Sequence, residues 1–236
     1  NIYSPENIGI KPTEETISFD TFKTQIDRIK FHLSKGDVYQ INYTYPQIFN
    51  SEVNPFDLYL NLRQSAQPQF GWFLDLEIFQ ILSFSPERFF RVSDGNIYSY
   101  PIKGTRPRSV DIDRDEQLAE ELFHSEKDRA EHLMIVDLLR NDLGKVCNFG
   151  SVKVNDLYKV ESYETVHHLV TEITGNLKYN IQEMDIINAL FPGGSITGAP
   201  KERAMQIIDS LENYSRGIYT GSIGYITSSG IMDFNI

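Results

Sequence analysis

Residues 70–100 read FGWFLDLEIFQILSFSPERFFRVSDGNIYSY. Apolar and aromatic side chains gather there in four short runs, Phe70 to Leu76, Ile78 to Phe84, Arg88 to Val92 and Ile97 to Tyr100. Each run has the length of a strand and none has the length of a helix. Asp94-Gly95 separates the last two, and such a pair marks a tight hairpin because both central turn residues need positive φ. A strand-rich block of this kind, with no helix between its members, cannot come from strict βαβ alternation.

Upstream of this block, Asp20 reads as an N-cap ahead of Phe22, Ile26, Ile29 and Leu33 at helical spacing, with Gly36 as the stop. From Val38 the period changes to two. Tyr39, Ile41, Tyr43 and Tyr45 alternate with Gln40, Asn42 and Thr44, which predicts a strand. Asn54-Pro55 opens a second helix, and the first 17 or so residues read as a polar lead-in loop. Downstream, 103–115 is predicted as a loop, 114–124 and 127–142 as helices, and 151–160 and 166–174 as strands. Helices over 181–190 and 199–212 follow, then strands at 217–227 and 231–236. Strands mixed with helices in this order define an α+β fold. No linker-like break divides residues 1–236, so one domain is expected. The sequence begins at Asn1 and stops inside its last predicted strand, so the domain is expected to be incomplete at both ends.

Composition narrows the function classes. The 236 residues carry 33 Asp and Glu against 22 Lys and Arg, a net charge of −11, which excludes a nucleic-acid or anionic-membrane surface. Cys147 is the single cysteine, so no internal disulfide forms and a reducing, cytoplasmic setting is expected. No apolar run approaches the ~20 residues that a membrane span requires.

Several polar groups stand where chemistry could use them. Glu131 lies four residues before Ile135 and seven before Leu138, on the apolar face of its helix. It is either half of a structural ion pair with Arg129 or Arg140, or a ligand for a hard cation such as Mg²⁺. The run Pro192-Gly193-Gly194-Ser195-Ile196-Thr197-Gly198-Ala199-Pro200-Lys201 leads into a helix, where Thr197 could cap and free amides could take an anion. It lacks the spacing of a P-loop. Lys103, between Ile102 and Gly104, is either a solvated loop lysine or a nucleophile. As a nucleophile it must be neutral, which takes a downward shift of about 3 pKa units, or ~4 kcal/mol, from burial and nearby charge. Glu87 sits at a strand junction, and His167-His168 must point to opposite sheet faces.

Taken together, ordered motifs resemble one family. Gly36-Asp37-Val38-Tyr39-Gln40, Ser85-Pro86-Glu87-Arg88-Phe89, Pro101-Ile102-Lys103-Gly104-Thr105, Lys127-Asp128-Arg129-Ala130-Glu131-His132, Asp137-Leu138-Leu139-Arg140-Asn141-Asp142, His167-His168-Leu169, Thr197-Gly198-Ala199-Pro200-Lys201 and Tyr219-Thr220-Gly221-Ser222-Ile223-Gly224-Tyr225 occur in sequence. This series is similar to the chorismate-utilising enzymes, from about residue 20 to 236. The resemblance implies largely antiparallel sheets with helices outside. It implies Lys103 attacking the chorismate ring, Glu87 as general acid or base, and His168 assisting near the leaving oxygen. Glu131 would hold Mg²⁺, and Gln40, Gly104, Thr105, Tyr219, Gly221 and the turn from Ser195 through Thr197, Gly198 and Ala199 to Lys201 would contact substrate.

Two positions discriminate among members. Water-adding members carry a base lysine where this chain has Gln40, so the resemblance implies the ammonia-using branch, with ammonia from a glutamine amidotransferase partner. Anthranilate-forming members typically read Pro-Ile-Ala-Gly-Thr where this chain has Lys103, and aminodeoxychorismate-forming members read Pro-Ile-Lys-Gly-Thr. An anthranilate former with an unusual lysine and a catalytically silent fragment are the alternatives. The family pattern continues past Ile236 into an arginine and a second metal-binding glutamate, and Pro68-Gln69-Phe70 departs from the Pro-Tyr-Met of its tryptophan pocket.

Overall fold

The computed structural model describes residues 9–13 and 17–236, so most of the expected lead-in loop lies outside the described residues. In chain order the elements are β1 (Ile10–Pro12), α1 (Phe19–Ser34), β2 (Gln40–Ile41), β3 (Phe49–Ser51), α2 (Pro55–Ala66), β4 (Phe70–Asp75), β5 (Gln80–Ser85), β6 (Arg88–Ser93), β7 (Asn96–Ser99) and β8 (Ile102–Pro107). They continue as α3 (Ile112–His124), α4 (Glu126–Val146), β9 (Lys153–Ser162), β10 (Val166–Asn176), α5 (Glu183–Leu190), β11 (Gly198–Ala199), α6 (Lys201–Leu211), β12 (Gly224–Ile226) and β13 (Met232–Asn235). The four runs of residues 70–100 are β4 to β7. Asp94 and Gly95 both take positive φ, 52° and 72°, as the predicted β6–β7 turn requires.

An antiparallel sheet orders its strands β12-β13-β6-β7-β10-β8, with β9 also on β10. Eleven-residue β10 is its spine: β9 covers one edge, and β7 and β8 share the other in tandem. Ile102 faces Val170 and Thr105 faces His168, so β8 advances three residues while β10 advances two. The extra residue makes a bulge at Lys103-Gly104, and Gly104 accepts it with φ of 88°. A side chain on Gly104 would meet Leu122 and Asp128 at about 3 Å.

The main core lies between this sheet and α4 and α5. Ile135, Val136, Leu139, Leu143 and Val146 recur at helical spacing along α4 and pack with Phe90, Ile97, Ile173, Met232, Ile186 and Leu190. A second cluster joins Ile29 of α1 and Val38 to Ala204, Ile207 and Leu211 of α6.

Four expectations are corrected. Helix α1 is capped by the Ser18 side chain rather than by Asp20, which sits in its first turn. The predicted strand from Val38 narrows to β2, because Thr44 gives its backbone N–H to the Glu212 carboxylate instead of to a neighbouring strand. The predicted loop over 103–115 contains most of β8 and the start of α3, since β10 supplies a partner edge that local pattern does not reveal. Residues 217–223 turn rather than extend, with the Tyr219 and Gly221 N–H groups bonded to the Arg216 and Ile218 carbonyls.

Candidate active site

Glu87 stands at the β5–β6 junction, where its N–H donates to the Ser85 hydroxyl at 3.3 Å and that hydroxyl donates to the Glu87 carbonyl at 3.3 Å. Its carboxylate accepts the Ile102 N–H at 3.4 Å, which ties it to the start of β8. Burial pushes Glu87 up to about 7, against the opposing pull of Lys103 and the Ile102 amide. The bulge aims Lys103 into the same interior, and its Nζ donates to the Ser195 carbonyl at 2.8 Å. Burial lowers the Lys103 ammonium, while the charges of Glu87 and Glu131 oppose the shift. Burial thus weakens both the acid and the base within one site, shifting each toward its neutral form.

His168 faces Thr105 across the β8–β10 pair, with Nδ1 and Oγ1 3.0 Å apart. Burial lowers its imidazole, so it is biased to the neutral form. His167 points to the other face, as predicted, and is satisfied structurally by Asp115 at 3.0 Å and Ser162 at 2.8 Å. His132 is also buried, bonded to Thr171 Oγ1 at 2.7 Å and held down to about 4 by burial and by Lys103.

Glu131 is half-buried on α4 and close enough for its charge to act on Lys103. The ion-pair reading fails for both candidates: Arg129 lies over the Tyr158 ring at 4.5 Å, and Arg140 pairs with Asp137 at 2.9 Å. Among the described residues no group of three His, Cys, Asp or Glu side chains is arranged to hold a metal. A lone carboxylate in no ion pair among the described residues fits a hard ion that takes its remaining ligands from substrate and water.

The glycine-rich turn packs against this constellation. Gly198 pairs with Ile41 and Ala199 with Gln40, and a side chain on Gly198 would come 2.2 Å from the Gln40 carbonyl. Thr197 spends its hydroxyl on the Gly193 carbonyl at 2.9 Å and does not cap α6, whose cap position is Pro200. Lys201 is not brought to the site either. Its Nζ is bound to Asp142 at 2.6 Å and to the Leu190 carbonyl at 2.9 Å, because Asp142, 2% exposed, needs a cation beyond Lys145. Gln40 Oε1 is buried without a partner among the described residues. Tyr219 and Gly221 line a cavity of about 530 Å³ that also reaches Glu87 and Ile196. A second cavity of about 430 Å³ is lined by Asn42, Ser195, Ile196 and Tyr219.

Sequence reasoning missed Asn42 and Arg216. Asn42 Nδ2 joins Lys103 on the Ser195 carbonyl at 3.1 Å. Arg216 grips the Ile196 carbonyl at 3.0 Å and the Asn42 carbonyl at 2.6 Å while paired with Glu212 at 2.7 Å. Asn42 had a faint signal, a polar residue in an alternating run; Arg216 had none.

A family profile described as chorismate binding enzyme matches residues 3–236, and the chain belongs to that family. Its relatives of assigned activity include aminodeoxychorismate synthase component 1 of Salmonella typhimurium, 47% identical over 209 residues, covering 89% of this chain and 46% of that protein. The same component from Bacillus subtilis is 43% identical over 217 residues, covering 92% of this chain and 46% of that protein. Anthranilate synthase component 1 of Saccharolobus solfataricus is 40% identical over 225 residues, with 94% and 53% covered. The crystal structure of anthranilate synthase component I from Streptococcus pneumoniae superposes with a TM-score of 0.83 at 36% identity, over 96% of this chain and 49% of that one. The chain therefore spans about half the length of the relatives it matches.

Proposed function

We propose that this chain forms the chorismate-aminating core of an aminodeoxychorismate synthase component I, turning chorismate and ammonia into 4-amino-4-deoxychorismate. The carrying observation is the β8 bulge, which accompanies a half-buried, acidified Lys103 near a half-buried, weakened acid at Glu87. Lys103 Nζ attacks C2 of the ring, both conjugated ring double bonds shift by one position, and the C4–O bond breaks as Glu87 gives its proton to the departing hydroxyl. Ammonia then adds at C4, both double bonds shift back, and the C2–N bond to Lys103 breaks. The Glu87 carboxylate takes the proton that the incoming nitrogen sheds, a transfer worth typically ~10²–10⁴ in rate. His168, biased neutral, offers a hydrogen bond near the leaving oxygen without competing for the proton.

Glu131 is the residue that would hold Mg²⁺, and the ion would neutralise a substrate carboxylate. Gly104, Thr105, Tyr219, Gly221 and the turn through Thr197, Gly198 and Ala199 are the surfaces proposed to face substrate. The nitrogen source is proposed to be a glutamine amidotransferase subunit, in keeping with the component naming of the relatives. Among the described residues no helix is long and apolar enough to cross a membrane, and a reducing cytoplasm suits a buried, unpaired Cys147.

A second reading, anthranilate formation, is favoured by the identity to anthranilate synthase component 1. The two diverge in product. With chorismate, ammonium salt and Mg²⁺, the full-length protein is expected to yield aminodeoxychorismate, detected by chromatography, and no fluorescent anthranilate. Lys103→Ala is expected to abolish that product; a variant that still made it at the normal rate would refute the covalent route.

A further inference from the structure

With Lys103 read as the nucleophile, as proposed above, we infer that Asn42 is its positioning residue, acting through the Ser195 carbonyl that the two side chains share. Lys103 Nζ donates to that oxygen at 2.8 Å and Asn42 Nδ2 donates to it at 3.1 Å, so both of its lone pairs are taken. Ser195 itself is 6% exposed. Asn42 is fixed along its backbone by bonds that do not involve Lys103. Its N–H donates to the Thr197 carbonyl at 2.9 Å, and its carbonyl accepts Arg216 Nη2 at 2.6 Å. Arg216 Nη1 holds the Ile196 carbonyl at 3.0 Å, and the Thr197 hydroxyl closes the turn onto the Gly193 carbonyl at 2.9 Å. The Ser195 carbonyl therefore has a set direction, and the Asn42 amide is held on it independently of the lysine.

An amine resting on a buried carbonyl is positioned but not free. To reach a ring carbon Lys103 must give up this bond, and a buried carbonyl left bare carries the full penalty of an unmade hydrogen bond. Asn42 removes that penalty, because its amide stays on the oxygen as the amine departs. Sharing also loosens the hold beforehand: an oxygen that already accepts one donor is a poorer acceptor for an ammonium proton. The charged and titratable groups around Lys103 are Glu87 at the β5–β6 junction and Glu131 and His132 on α4. Asn42 adds no charge to this set, so its amide acts on the amine through the carbonyl.

The test compares Asn42→Leu and Asn42→Asp with the parent in the full-length protein, using chorismate, Mg²⁺ and ammonium salt. Leucine removes the donor at similar volume. Aspartate keeps the shape and puts an acceptor where the donor was, so it carries the test if the leucine variant does not fold. Each is expected to lower kcat about tenfold, the scale of one hydrogen bond, with KM for chorismate little changed. The rising limb of kcat against pH, set by loss of the Lys103 proton, should move to higher pH in both. In Asn42→Leu the undivided carbonyl favours the ammonium, and in Asn42→Asp the added carboxylate favours it further, so the aspartate shift should be the larger. A purely structural asparagine would lower the melting temperature and leave that limb in place. A folded Asn42→Asp with an unmoved limb, or a folded Asn42→Leu with parental kcat, would overturn the inference. If Lys103→Ala is inactive in the same assay while the Asn42 variants behave as the parent, the role of Asn42 alone fails; if Lys103→Ala keeps parental turnover, the proposed function fails with it.

Discussion

Glu87 carries a signature that can be read without substrate. Its carboxyl is held near 7 in the folded chain by burial, while an exposed glutamate titrates near 4.5. Between those two values the folded state binds more protons than the unfolded one, so stability falls as pH rises through that window and the full cost is present above about 7. Glu87→Gln removes the titration. Its melting temperature is expected to match the parent near pH 4 and to exceed it at pH 8; a constant difference across that range would show that Glu87 does not titrate as described. The same residue shows why residue-level reading stopped short. In sequence Glu87 is one carboxylate at a strand end; its altered acidity comes from burial, which only the folded chain supplies, and even the groups that oppose the shift, Ile102 and Lys103, lie fifteen and sixteen residues away along the chain. Lys103 was legible as a candidate, but the force that makes it one is burial by Ser195 and the glycine-rich turn, some ninety positions downstream. The roles of Lys103, Glu87 and His168 were reached through resemblance, since single-residue physics left a solvated lysine equally open.

At the scale of elements, local pattern served well where neighbours in sequence are neighbours in space. Strands β4 to β7 are successive in sequence, and hydrophobic runs with a positive-φ turn were enough to find them. It served poorly where the partner is distant. Strand β8 lies in a basic and glycine-bearing stretch with no alternation, and it extends only because β10 offers it hydrogen bonds. The reverse holds for residues 42–45, where alternation was present and the strand was not, because Glu212 takes over the backbone of Thr44. Glu212 and Arg216 form a nearly buried, two-pronged ion pair at the end of α6, and Arg216 spends its remaining donors on Asn42 and Ile196. Arg216→Ala would leave the Glu212 carboxylate, 3% exposed, without its cation. Removal of one partner from such a pair costs roughly 3–5 kcal/mol. Chemical denaturation of Arg216→Ala is expected to show a loss of that order, and replacement of both residues together should cost less than the two single losses combined.

Across the whole molecule, the net charge of −11 has to coexist with the site proposed above for an anionic ring. Many of its acids are paired locally: Asp142 is neutralised by Lys145 and Lys201, Asp128 by Arg106, Asp115 by Arg108 and Asp233 by Arg88. Lys201 was expected at substrate from its motif; the motif is real, but the global arrangement of charge assigns the lysine elsewhere. The α+β class was legible because long, strongly patterned stretches dominate the sheet and its covering helices. The sheet order was not, since β13 reaches β6 and β10 gathers β7, β8 and β9 across gaps that no local signal bridges.

The bulge at Lys103-Gly104 has a consequence for the clock of the molecule. Strand β10 is bonded along both edges, so most of its amide protons can meet solvent only when the sheet itself comes apart. At the bulge the ladder skips a step beside Leu169, and the backbone around Lys103 is released from the regular pairing of its neighbours. Deuterium uptake should therefore be slowest along Val166–Asn176 and measurably faster at Lys103 and Gly104 than at Arg106. The proposed nucleophile would then be carried by the least locked link in the most locked part of the sheet, free to swing toward and away from a ring carbon while the strand behind it stays shut.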